Sequence, residues 1–154
     1  MDLTTDNIKI RRLGRDDTQI AGELFLLLQE IFEVENITTI SNIHLTKLLE
    51  NPAFFAYAAF YENELAGGLT AYELAMYDAE GSNVYIYDIA VTPRFRRKGI
   101  GKRLLAEILQ HCVQNGINEL FVQANKEDDH ALDFYRSTGA AEEPVIQFTY
   151  RQRR

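Results

Sequence analysis

Apolar and polar positions change their period several times along the chain, and each change marks an element. Residues 8–13 (IKIRRL) alternate, as a half-buried strand does. After Gly14 and a cap at Asp16 or Asp17, residues 19–32 carry Leu, Ile and Phe at helical spacing. A second, short helix is predicted over 43–49, stopped by Asn51-Pro52. Residues 54–61 and 65–75 read as two strands joined through YENE at 61–64 into an antiparallel hairpin. A polar loop, 78–83, leads to VYIYDIAV at 84–91, a strand that is β-branched or aromatic almost throughout and ends before Pro93. From Gly101, the positions of Leu104, Leu105, Ile108, Leu109, Cys112 and Val113 trace one face of a helix closing near Asn115-Gly116. Residues 120–124 form another strand. Polar residues 125–129 follow, then Ala131, Leu132, Phe134 and Tyr135 at helical spacing up to Gly139. Residues 145–150 (VIQFTY) are expected to be a last strand before the basic tail 151–154. The predicted order is β-α-α-β-β-β-α-β-α-β, one mixed α/β domain over residues 8–150 without repeats or linkers.

Composition narrows the class. A chain of 154 residues suits one core, and 46% hydrophobic with 25% charged residues is ordinary globular usage. The single cysteine, Cys112, excludes an internal disulfide and is expected on the apolar face of its helix. His44, His111 and His130 show no metal spacing, so no metal is expected. The start, MDLTTDNIK, lacks a leader pattern, and the longest apolar run, 54–61, is too short to span a bilayer. The expectation is a cytoplasmic protein without a membrane partner. A net charge of −7 argues against nucleic acid as a partner, because phosphate neutralisation needs a broad basic surface.

Charge is nevertheless concentrated. Arg94, Arg96, Arg97, Lys98, Lys102 and Arg103 fall in RFRRKGIGKR at 94–103, which holds no acid. The segment fails as a P-loop, since Arg96 stands where the first glycine belongs and Arg103 where Ser or Thr must follow Lys102. It fails as a dinucleotide fingerprint because Leu104 replaces the third glycine. What remains is a strand, a short basic loop, and Gly99 and Gly101 at the mouth of a helix. Free amides and the helix dipole there suit a pyrophosphate. From the loop alone, an ordinary turn beside a solvated cationic face stands as the other reading.

The segment RRKGIG at 96–101 resembles the acetyl-CoA loop of the GCN5-related N-acetyltransferases, R/Q-x-x-G-x-G/A, at every fixed position. A second element of that family, A-x-x-x-Y-x-x-x-G, is matched by Ala131, Tyr135 and Gly139. The order of elements over residues 8–150 is also similar. Within the family, YIYDIAV at 85–91, Ala71-Tyr72, VQA at 122–124 with Asp128-Asp129, and Glu142-Glu143 before a run ending in Phe148 resemble the aminoglycoside 3-N-acetyltransferases. His130 and Ala140 depart from that pattern, where a proline and a larger apolar residue are usual.

The resemblance implies a single mixed, mostly antiparallel sheet flanked by helices, acetyl-CoA as cosubstrate and an aminoglycoside as acceptor. Transfer to the 3-amino group of 2-deoxystreptamine would confer antibiotic resistance. Arg96, Arg97, Lys98, Gly99, Ile100, Gly101 and Lys102 would hold the diphosphate, and the backbone of Ile89, Ala90 and Val91 the pantetheine arm. Asp88 would be the base or orienting carboxylate, with a structural hydrogen bond as its alternative. Tyr135 would protonate the leaving thiolate, or else be a core tyrosine. Asp128, Asp129, Glu142 and Glu143 would form an acidic rim for a polycation, or be solvated loop charges. Family members are often homodimers. Two other functions stay open: acetylation of another small amine, a polyamine or a protein N-terminus, and a non-catalytic acetyl-CoA sensor.

Overall fold

The protein is described by a computed structural model over residues 6–153; residues 1–5, read for a leader, and Arg154 of the basic tail lie outside the described residues. The elements are β1 (Ile8–Arg12), α1 (Thr18–Ile31), α2 (Asn42–Glu50), β2 (Phe54–Tyr61), β3 (Glu64–Ala75), β4 (Ser82–Val91), a 3-10 turn (Pro93–Phe95), α3 (Ile100–Gln114), β5 (Leu120–Val122) and α4 (Asp129–Ser137). They fall into two compact units that divide after Gln123. No helix among the described residues is long and apolar enough to cross a membrane.

The first unit is built on one five-stranded sheet in the order β1-β2-β3-β4-β5. The first four strands are antiparallel neighbours, and β5 runs parallel to β4, so the sheet is mixed. The β2–β3 turn shows why the hairpin forms where the sequence places it. Glu62 and Asn63 both take positive φ, 48° and 68°, the backbone that matches a two-residue loop to the twist of its strands. The Glu62 amide donates to the Asn7 carbonyl at 2.9 Å, tying the turn to the start of β1.

Each face of the sheet has its own core. On one, Phe55, Leu69, Val84 and Ile86 pack with Ile100, Leu104, Ile108 and Cys112 of α3. On the other, Phe54, Ala56, Ala58 and Ala90 pack with Leu24 and Leu28 of α1 and Leu45 of α2. Cys112 is buried, as its helical phase predicts, and burial pushes its thiol pKa up.

The β3–β4 ladder contains the decisive irregularity. Thr70 is opposite Asp88, but Ala71 is opposite Ile86, leaving Tyr87 as an extra residue. Strict alternation would put Val84, Ile86, Asp88 and Ala90 on one face. The bulge breaks that series: Val84 and Ile86 lie in the α3 core, whereas Ala90 lies in the core of α1 and α2. Asp88 accordingly shares its face with Thr70 and Ala90.

Beyond the bulge, β3 and β4 are pressed together. A Cβ on Gly67 would lie 2.2 Å from the Ala90 carbonyl oxygen, and one on Gly68 would lie 2.5 Å from Leu24 Cδ1 and 2.6 Å from the Tyr57 carbonyl oxygen. Glycine is required at both positions by lack of space.

The second unit holds α4 and the chain after it. Asp128 caps α4 through its side chain, which accepts from the Ala131 amide at 3.0 Å. Arg136 donates to Glu142 through Nε at 3.1 Å and NH2 at 2.8 Å. The expected last strand is not formed: residues 140–153 contain neither helix nor strand. Their alternation is that of a strand, but a strand exists only as one side of a ladder, and the second unit offers no other.

Gly67→Ala is expected to destabilise the protein by about 2 kcal/mol or more, because the clash is between backbones and no side chain can yield. Urea unfolding with an unchanged m-value would check this; a variant as stable as the parent contradicts the packing described.

Candidate active site

Two features of the first unit lie along the end of β4. One is the loop it feeds. Thr92 donates its amide to the Ala66 carbonyl at 2.8 Å, and Phe95, buried in the α3 core, anchors the short turn. Arg96 then turns back, its Nε donating to the Val91 carbonyl at 3.2 Å. Arg97 and Gly99 both adopt left-handed backbone, at φ 63° and 81°. Gly99 is the N-cap of α3, and no side chain caps that helix. The Ile100, Gly101 and Lys102 amides make no hydrogen bond among the described residues. This is the orphan-donor arrangement that attracts anions.

The cations of the loop divide into two groups. Arg94 pairs with Glu64 at 2.5 Å, and Arg103 with Asp6 at 3.1 Å. Lys98 Nζ lies 4.8 Å from the centre of the Tyr61 ring. Arg97 and Lys102 form no ion pair among the described residues, although both belong to the predicted loop. They are the cations available to a ligand at these amides.

The strand itself offers a second anchoring surface. β5 pairs with β4 only through Val84, Tyr85 and Ile86. Past that point β3 still covers one edge of β4, opposite Ile89, Ala90 and Val91, while among the described residues their other edge has no strand beside it. An extended ligand can add there as a strand does.

The other feature is a cavity of about 260 Å³ between the sheet, α1, α2 and the connection joining those helices. Phe25, Leu28, Phe32, Val34, Ile40 and Leu48 form its apolar walls, and Gln29, His44, Thr70 and Asp88 are its polar groups. Gln29 is engaged: its Nε2 donates to the Phe25 and Thr38 carbonyls at 3.1 and 3.0 Å, and its Oε1 accepts from the Thr38 amide at 2.8 Å. That one amide pins the connection that closes the cavity. Asp88 is half-buried, and burial raises its pKa to about 6. Tyr72 next to it is also raised, first by burial and then by the charges of Tyr87 and Asp88. At neutral pH a carboxyl titrating near 6 is mostly ionised yet basic enough to take a proton from an ammonium.

The bulge thus brings Asp88 to a cavity that adjoins the open edge of its own strand. The sequence singles out Asp88, residues 89–91 and the loop 96–102 as candidates, and leaves the cavity residues Phe25, Phe32, Val34, His44 and Thr70 unassigned. No local pattern marks these walls: Phe32 ends the helical run and Val34 lies just past it. In the second unit, Tyr135 lies on α4 with its ring 5.2 Å from that of Phe134. Asp128 is occupied as a cap and Glu142 by Arg136, which holds the Glu142 carboxyl below its usual range. Asp129 and Glu143 are exposed. Among the described residues no cluster of His, Cys, Asp and Glu could hold a metal ion.

Residues 22–140 match the acetyltransferase (GNAT) family. The chain belongs to the GNAT family. The fold of this GNAT protein is shared with an aminoglycoside acetyltransferase, meta-AAC0020, from an uncultured soil metagenomic sample. In its crystal structure with trehalose, that protein is 42% identical, with a TM-score of 0.93 over 97% of this chain and 99% of the other. A second crystal structure of it, in complex with sisomicin, gives 42% identity and a TM-score of 0.92 over 96% and 98% of the two chains. The aminoglycoside N-acetyltransferase AAC(6')-Iy, crystallised with CoA, shares the fold at 18% identity and a TM-score of 0.77, over 95% of each chain. Thialysine N-epsilon-acetyltransferase of Bos taurus is 30% identical over 61 residues, 40% of this chain. The matched part is 36% of that relative, about a third of its length.

The raised pKa of Asp88 has a signed consequence for stability. In the unfolded GNAT chain the carboxyl ionises near its ordinary value, about 3.9, whereas in the fold it holds its proton to about pH 6. Between those values the folded state binds the extra proton, so this group's contribution to stability falls as pH rises. The Tm of Asp88→Asn minus that of the parent is expected to grow from pH 4 to pH 6 and then level off. A difference constant across that window contradicts the burial of Asp88.

Proposed function

We propose that this GNAT protein transfers the acetyl group of acetyl-CoA to the 3-amino group of the 2-deoxystreptamine ring of an aminoglycoside, and so confers resistance in the cytoplasm. The transferase domain is taken as residues 8–150. The observation that carries the reading is the position of Asp88, basic and half-buried in an apolar cavity, immediately before the open edge at Ile89, Ala90 and Val91. The likeness to meta-AAC0020, a protein crystallised with sisomicin, supports the acceptor class.

Acetyl-CoA would supply an activated acyl group on sulfur. Residues 96–102 fit its diphosphate, because three uncapped amides and two unpaired cations converge at the head of α3. Arg96, which holds the Val91 carbonyl, sets the loop against the strand. The unpaired edge at residues 89–91 fits an extended arm, and a β4 amide pointing to that edge can polarise an acyl carbonyl. Asp88 accepts a proton from the acceptor ammonium, leaving the lone pair that attacks. As the new C–N bond forms and the C–S bond breaks, the Tyr135 hydroxyl gives its proton to sulfur, and the surplus proton on the acylated nitrogen returns through solvent to the Tyr135 phenolate. Asp128, Asp129, Glu142 and Glu143 are assigned to the acidic rim, with Asp129 and Glu143 contributing most because the other two already have partners.

A second reading keeps this chemistry and changes the acceptor to a small amine such as a side-chain analogue. The apolar walls of the cavity and the partial likeness to thialysine acetyltransferase favour it. Thiol release from acetyl-CoA in the presence of sisomicin and gentamicin, with mass detection of the product, separates the two. Release is expected, and its absence with every 2-deoxystreptamine drug overturns the proposal.

Three variants test the roles. Arg97→Ala is expected to raise KM for acetyl-CoA several-fold, more at low salt than at high salt, with little change in kcat. Tyr135→Phe is expected to lower kcat by about 10²-fold or more while leaving KM for acetyl-CoA nearly unchanged. In the parent, kcat/KM for the acceptor should rise with pH and level off above about 6, the pKa of Asp88. Asp88→Asn should lose that limb; a profile identical to the parent's removes Asp88 from proton transfer.

A further inference from the structure

One face of the first unit's sheet carries a row of aromatic rings that the transfer chemistry leaves unused. Phe54 is the register partner of Tyr72, Tyr72 of Tyr85 and Tyr85 of Phe121, so the row crosses β2, β3, β4 and β5 in a single line. Tyr87, the bulge residue, stands beside it. Its ring meets Tyr72 at 5.9 Å and Tyr85 at 6.1 Å, steeply inclined to both. Tyr85 stacks on Phe121 at 5.0 Å, and its hydroxyl donates to Gln123 Oε1 at 3.0 Å, which fixes the ring.

Packing accounts for only one end of this row. Phe54 is buried in the core of α1 and α2, against Phe25 and Tyr72. At the other end Tyr87 is 61% and Phe121 37% exposed. Cross-strand aromatic pairs stabilise a sheet by covering one another, and a ring as bare as Tyr87 covers little.

The bare end has a charge and a neighbour. Residues 70–91 and 117–123, which carry it, include Glu73, Asp78, Glu80, Asp88 and Glu119 but no lysine or arginine. The bulge brings Asp88 to the face of the row, next in the chain to Tyr87, and Phe25 at the covered end is also a wall of the Asp88 cavity. Aromatic faces in acidic surroundings attract cations and offer apolar C–H groups a flat contact. A ring that carries ammonium groups satisfies both.

We propose that Tyr72, Tyr87, Tyr85 and Phe121 form a docking strip for the outer rings of a multi-ring amino sugar whose reacting amine lies at Asp88. The inference rests on the acceptor class proposed above and adds where the remainder of that molecule is held. A linear polyamine has the charge without the ring, and an acidic sugar is repelled.

Calorimetric titration with sisomicin, beside steady-state kinetics, tests it. Tyr87→Ala is expected to weaken sisomicin binding and raise its KM about fivefold or more, with kcat and KM for acetyl-CoA changing less than about twofold. Phe121→Ala lies outside the bulge and should act in the same direction, covering the case in which loss of Tyr87 disturbs the ladder. Tyr87→Phe, which keeps the ring, should bind as the parent does. Spermidine binding should change less than about twofold in the alanine variants, since it has no ring to stack. Sisomicin binding unchanged in both alanine variants overturns the strip, even where thiol release upholds the acceptor class. An equal loss for spermidine, or a Tyr87→Phe variant as weak as Tyr87→Ala, overturns it as well. Binding that depends on Tyr87 without any turnover upholds the strip and overturns the transfer reading, whereas a parent that binds no sisomicin overturns both.

Discussion

One extra residue in the β3–β4 ladder decides which face of the sheet Asp88 joins. Without Tyr87 as a bulge, Asp88 would follow Val84 and Ile86 into the dry core under α3, where an unpaired carboxylate is costly. With it, the same strand serves two cores in succession, and its carboxyl reaches a cavity while the adjoining backbone stays in the sheet plane. Two tight glycines on β3 flank the same region: Gly67 lets β4 lie close at Ala90 and Val91, and Gly68 admits Leu24 of α1 and the Tyr57 carbonyl of β2. In the proposed mechanism the acid–base group and the thioester anchor are consecutive residues, Asp88 and residues 89–91.

The electrostatics are equally divided by structure. Six cations crowd the basic loop of an acidic chain, and the sequence assigns four of them, Arg96, Arg97, Lys98 and Lys102, to one anion. Of the six, two hold the loop to β3 and to the segment before β1, one lies over an aromatic ring, and one fastens the loop to the end of β4. Scaffold and charge are supplied by neighbouring residues of one type. The same division operates among the acids of the second unit, where Asp128 caps a helix and Glu142 meets Arg136.

What the sequence could reveal follows from the range of the forces involved. The hairpin at Glu62-Asn63, the amphipathic phase of α3 and the position of the glycine loop are local, and all were readable. The bulge was not, because Tyr87 differs from its neighbours only in the register it imposes. The walls built by Phe25, Phe32 and His44 depend on how α1 and α2 lie on the sheet, which no short-range pattern encodes. Residues 145–150 were misjudged for the opposite reason: their pattern is a strand's, but a strand needs a neighbour, and alternation says nothing of where one is.

The tether between Gln29 and Thr38 bears on how such a protein can diversify. The connection between α1 and α2 that closes the cavity is held by the Gln29 side chain at Thr38, a backbone bond from Val34 to Gln29 and the packing of Ile40, with no ladder. Residues along that connection can be replaced, lengthened or reshaped without disturbing β4 or the head of α3. Under the proposed function, drift in this short stretch would reshape the acceptor cavity while β4 and the head of α3 stay as they are.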